Sequence, residues 1–132
     1  MTVYNPQRAL GVLIGSLIGA NFNSTADQQI TITHPYSKVQ IQSIRVTNAS
    51  TSLTTAAGGI YTGASKSGTT IIAASQVYSA LTASNLVLTP PVSSPASLTA
   101  FDNTLTLYFS LTTAQGATAT ADIYVFGIPF EF

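Results

Sequence analysis

Apolar side chains recur at every second position through much of this chain, the period at which successive side chains of a strand point to opposite faces. Ile30 and Ile32 alternate with Thr31 and Thr33, and Leu105, Leu107, Phe109 and Leu111 alternate with Thr104, Thr106, Tyr108 and Ser110. Both runs predict half-buried strands. The run from Ala117 to Ile128 carries the same period, with Ala117, Ala119, Ala121, Ile123 and Val125 on one face. Its other face holds Thr118, Thr120, Asp122, Tyr124, Phe126 and Ile128, which is too apolar at its end for a surface meant only for water. In Val39-Gln40-Ile41-Gln42-Ser43-Ile44-Arg45-Val46 the alternation slips by one at Ser43. A β-bulge there would return all four apolar residues to one face.

Turn chemistry separates these runs. His34-Pro35-Tyr36-Ser37 interrupts the chain, because proline lacks a donor and restricts the residue before it. Gly116, between two long alternating runs, supplies the positive φ of a short connection and predicts that those two strands pair as a hairpin. Leu53–Ala57 and Ile60–Thr62 read as one strand interrupted at Gly58-Gly59, joined through the turn Ser65-Lys66-Ser67-Gly68 to a strand over 69–73. Ser75 to Ala83 has the only helical spacing, good for a single turn. Asn85–Thr89 reads as a strand, and Pro90 to Pro95 as an extended connector. Seven to nine short strands, about one turn signal every ten residues and no long helix predict an all-β fold. An antiparallel β-sandwich of jelly-roll-like arrangement is favoured, since the Cys-Trp-Cys pattern of immunoglobulin domains is missing.

The run Ala9 to Ala20 is apolar but for Ser16, with glycines at 11, 15 and 19. About 12 residues is too short to cross a bilayer as a helix, though it matches a signal-peptide core. A buried N-terminal strand or arm over residues 1–27, followed by a β-sandwich domain over 28–132, is the preferred organisation.

Composition then narrows what such a domain can do. Charged residues make up 6% of 132 positions and sum to zero, while Ser, Thr and Ala fill 52. Near-zero charge promotes association, so a subunit that works packed against neighbours is expected. Four scattered cations, Arg8, Lys38, Arg45 and Lys66, cannot neutralise a run of phosphates, which excludes ordinary nucleic-acid binding. The absence of cysteine removes disulfides and thiolate nucleophiles. One histidine, His34, and four isolated acids, Asp27, Asp102, Asp122 and Glu131, leave little for general acid–base chemistry or metal ligation. No catalytic residue, cofactor site or metal site is therefore assigned. Asp102-Asn103 reads as the turn into the following strand. The candidate surface is instead a subunit interface comprising Arg8, Leu13, Leu17, Tyr124, Phe126, Phe130 and Phe132, because three phenylalanines at a chain end must dock somewhere.

The phrases Thr47-Asn48-Ala49-Ser50-Thr51-Ser52-Leu53-Thr54-Thr55-Ala56-Ala57-Gly58-Gly59-Ile60-Tyr61-Thr62-Gly63-Ala64-Ser65-Lys66, Leu111 to Gly116, and Ile123-Tyr124-Val125-Phe126-Gly127 carry a resemblance over about half the chain. It resembles small proteins encoded among the structural genes of tailed bacteriophages and prophages. The resemblance implies a virion component made in the host cytoplasm, such as a head decoration or cement protein on the capsid surface. It implies as partners the chain itself, as a homo-oligomer with a trimer favoured, and a major capsid or other virion protein, with no membrane and no nucleic acid. Two other classes remain open on the residues alone. Tyr36, Tyr61, Tyr78 and Tyr108 could form a platform for a carbohydrate or host-surface ligand, in a head fibre or tail. Residues 9–20 could serve a secreted filament as a donated strand.

Overall fold

Residues whose side chains alternate in polarity pair edge to edge, and here nine strands do so. The computed structural model describes residues 11–131, with β1 Val12–Asn21, β2 Gln28–Ile32, β3 Lys38–Thr47, β4 Ala57–Gly63, β5 Ser67–Ile72, β6 Val87–Leu88, β7 Phe101–Asp102, β8 Thr106–Thr113 and β9 Thr120–Phe130. Every pairing is antiparallel, and one continuous hydrogen-bonded path runs β5-β4-β8-β2-β1-β9-β3-β6, with β7 also on β3. Arg8, Phe132, and Ala9 and Leu10 at the start of the apolar run lie outside the described residues.

The path divides into two halves. One has the order β1-β9-β3, with β6 and β7 sharing the far edge of β3; the other has the order β2-β8-β4-β5. The chain crosses between the halves after every strand except β4 and β6, and places β9 beside β1 and β8 beside β2, which is the jelly-roll arrangement of two interleaved Greek keys. The halves join through the short β1–β2 ladder, Gly15 with Ile32 and Ser16 with Thr31, and the sheet curls from there into a half-barrel. This is the sandwich-like all-β class that the alternation predicts. On the opposite side a helical turn, α1 (Ser94–Ser97), bridges the two open edges. The Ser93 N–H donates to the Ile71 carbonyl of β5 at 2.9 Å, and Gln40 Nε2 of β3 donates to the Ser97 carbonyl at 2.6 Å. At the β5 edge this gives the Ile71 carbonyl a partner, blunting an edge that would otherwise offer an unpaired acceptor to another strand.

Ile30, Ile41, Ile44, Leu107, Phe109, Leu111, Ile123 and Val125 from both halves point into one core. Phe22, Tyr78 and Phe109 sit at its centre, with the Phe22 ring 5.1 Å from Tyr78 and 4.9 Å from Phe109. The buried Tyr78 hydroxyl donates to the Gly58 carbonyl at 3.0 Å, and burial pushes the Tyr78 phenol well above its ordinary pKa, so it stays a neutral donor.

The expected bulge in β3 is present. Ile41 faces Gly127 and Ser43 faces Phe126, so β3 uses an extra residue and Val39, Ile41, Ile44 and Val46 are all buried. The hairpin expected around Ser65 and Lys66 also forms, as β4–β5. Three expectations are corrected. The strands flanking Gly116 do not pair with each other: β8 lies between β2 and β4, and β9 between β1 and β3. Gly116 does take positive φ, at 93°, but its loop is anchored elsewhere. Gln115 Oε1 accepts the Thr55 and Ala56 N–H groups at 2.9 and 3.0 Å, and the Gly116 N–H donates to Asn23 Oδ1 at 2.8 Å. Those bonds carry the chain across from one half to the other. The helical turn expected in 75–83 is absent; that stretch holds turns and an isolated Val77–Ala57 bridge. The helical turn instead occupies the proline connector, where Pro95 in the first turn loses no helical bond because its N–H would be unpaired there anyway. Finally, Leu53–Ala56 is not strand, and β4 begins at Ala57.

Candidate functional site

A strand without bulges projects alternate side chains in a straight row, and β9 is such a strand. Each register shift along it adds the extra residue to a neighbour: between Leu13 and Gly15 and between Leu17 and Ala20 in β1, and between Ile41 and Ser43 in β3. The outward row of β9 is therefore unbroken, running Asp122, Tyr124, Phe126, Ile128 and Phe130. Across the ladder Leu13 and Ser43 flank Phe126, while Ser16 and Arg45 flank Tyr124. The Arg45 guanidinium carbon lies 5.0 Å from the centroid of the Phe126 ring, a cation–π contact that places the cation on the same face.

This face is apolar where a solvated sheet would be polar. Leu13 is 53% exposed, Ile18 61% and Ile128 37%. Ile18 is thrust outward by the Ile18-Gly19 bulge, in which Gly19 has φ +67°. The bulge is held by Asp122, whose buried carboxylate accepts the Gly19 N–H at 2.7 Å and Asn48 Nδ2 at 3.1 Å. Asn48 itself sits in the left-handed region at φ 57°, a conformation asparagine tolerates better than most residues.

Of the residues expected at an interface, Leu13, Tyr124, Phe126 and Phe130 come together here. Leu17 does not: it pairs with Ile123 on the inward face and packs against the core. Arg8 and Phe132 are outside the described residues. Ile18 belongs to the face although alternation alone did not assign it there, and Arg45, which alternation sets opposite Ile44 and Val46, lies on it too. The Gly19 signal for a bulge and the odd-numbered parity of Arg45 relative to Ile44 were the available clues.

The ionisable groups are dispersed and engaged. Lys38 pairs with the exposed Asp102. Glu131 accepts the Ser37 N–H at 3.2 Å. Asp102 thus serves an ion pair as well as the turn, which the Leu105 N–H closes on the Asp102 carbonyl at 3.1 Å. Asp27 accepts the Ser65 N–H at 2.7 Å; that bond, a bond with the Ser110 hydroxyl and the charge of Lys66 hold its carboxyl below the ordinary range. Lys66 Nζ lies 2.9 Å from Ser110 Oγ, but Ser110 is fully buried and out of a substrate's reach. His34 Nδ1 accepts the Tyr36 N–H at 3.3 Å, and its buried Nε2 has no hydrogen-bond partner among the described residues. It borders an open groove of about 390 Å³ between Leu13, Tyr36 and Ile128. Among the described residues no three metal-ligating side chains come together, and no helix is long and apolar enough to cross a membrane. The four tyrosines do not form one platform either: Tyr61 and Tyr78 are buried, Tyr108 is half-buried, and Tyr36 is 43% exposed.

Set against models of protein families, curated proteins and solved structures, the chain has no match in any of the three.

Proposed function

We propose that this protein is a non-enzymatic virion structural subunit, a decoration or cement protein that sits on the capsid surface of a tailed phage. In this role it assembles with itself and binds the major capsid protein, and it needs neither cofactor nor metal. The observation that carries the assembly role is the outward row Tyr124, Phe126 and Ile128 with Leu13 and Ile18 beside it, apolar area that a solitary soluble domain would cover or replace. The resemblance of the Thr47–Lys66 and Ile123–Gly127 phrases supports the virion setting. The jelly roll is compatible with it, being a fold used by capsid proteins among others. Engagement of Asp27, Asp102, Asp122 and Glu131 in local contacts supports a structural rather than chemical role. The test is the composition of purified particles of the encoding phage. Many copies per particle, with antibody labelling on the heads, is the expected result; a protein found in infected cells and missing from particles would overturn the proposal.

A further inference from the structure

We infer that the outward face of β1-β9-β3 is occupied by a second copy of this chain. The inference deepens the assembly role proposed above by naming the partner of that face. Three observations point to a copy of itself. The first is area: strands of 10 or 11 residues, at about 3.3 Å per residue, lie beside the edge pieces β6 and β7. At about 4.8 Å between strands they present a face of roughly 33 by 19 Å. Two such faces bury on the order of 1,200 Å², the lower end of what a specific, stable protein interface requires.

The second is charge. A face that meets its own copy also meets its own charges, so it must be nearly neutral. Toward one end of this one stand Arg45, seated on the Phe126 ring, and Asp122, which is buried and bonded to Gly19 and Asn48. Among the described residues the other charge on this face is Lys38 of β3, at the far end and paired with Asp102. The third is composition. Aromatic and aliphatic side chains lie at the centre of the patch (Leu13, Phe126 and Tyr124), with Ser16 and Ser43 around them, which is the core-and-rim distribution of protein interfaces.

The test is molar mass by light scattering across a range of concentrations, on the full chain and on two variants. Phe126→Glu puts a charge at the centre of the face. Ser16→Lys puts one on the same face beside Tyr124, at an exposed position where a lysine can reach water in the free chain, so it reports on association with little threat to the fold. Circular dichroism melting confirms that each variant is folded. A closed oligomer of the parent chain that weakens by at least about 100-fold in both folded variants is expected. A parent chain that stays monomeric at high concentration would overturn the inference, as would an oligomer that Ser16→Lys leaves intact. Particle composition reads the virion proposal separately: a monomer found in many copies on heads would sink this inference and leave that one standing.

Discussion

Asp122 offers the sharpest test of how the face is held, because one buried carboxylate secures two segments far away in the chain. It accepts the Gly19 N–H of the β1 bulge across 103 residues and the Asn48 amide at the end of β3 across 74. Asp122→Ala removes both charge-assisted bonds and leaves a partly buried N–H without a partner. Such bonds are worth about 1.5–3 kcal/mol each, and Asn48 can recover part of its loss by turning to water, so the expected cost is about 3 kcal/mol. In a domain of this size that lowers Tm by about 10 °C. Asp122→Asn keeps an acceptor for Gly19, and the Asn48 amide can flip to present its oxygen to the new NH₂ group; the expected cost is about half as large. Urea unfolding at fixed protein concentration reads both, the fixed concentration removing mass-action effects of association. The reasoning fails if Asp122→Ala costs less than about 1 kcal/mol, or if Asp122→Asn costs as much as Asp122→Ala.

Other consequences follow from single contacts. A Cβ on Gly59 would stand 2.1 Å from the Ile72 carbonyl oxygen, so Gly59→Ala must part β4 from the backbone leaving β5. A loss of about 3 kcal/mol or more in urea unfolding is expected. Tyr78→Phe deletes only the bond to Gly58 and should cost about 1–1.5 kcal/mol by the same measurement. Asp27 has its carboxyl pKa lowered in the folded state, so its stabilisation is complete above about pH 4 and is lost as pH falls through the folded value. Asp27→Asn should therefore flatten the acid limb of a stability-against-pH curve below about pH 4, and an unchanged limb would refute the role given to the Ser65 and Ser110 bonds.

The alternation of apolar and polar residues by itself determined the all-β class, the inward faces of β2, β3, β8 and β9, the β3 bulge and the hairpin turning at Ser65 and Lys66. It also marked Tyr124, Phe126 and Ile128 as apolar residues on a face without a core. Each of these is a property of neighbouring residues, since pleat, parity and turn conformation act over two to five positions. Pairing is different. Any strand backbone can bond any other, so nothing near Gly116 says that β8 and β9 go to different halves; bonds that Gln115 accepts from Thr55 and Ala56, 60 and 59 residues away, help decide it. Tyr61 and Tyr78 look like surface tyrosines until the curl of the sheet encloses them, and Leu17 looks equivalent to Leu13 until a bulge between them puts one outside and the other inside. Only the tertiary structure sets Arg45 over Phe126 and Asp122 beneath the Gly19 bulge, because those contacts join strands whose separation in the chain leaves no local pattern.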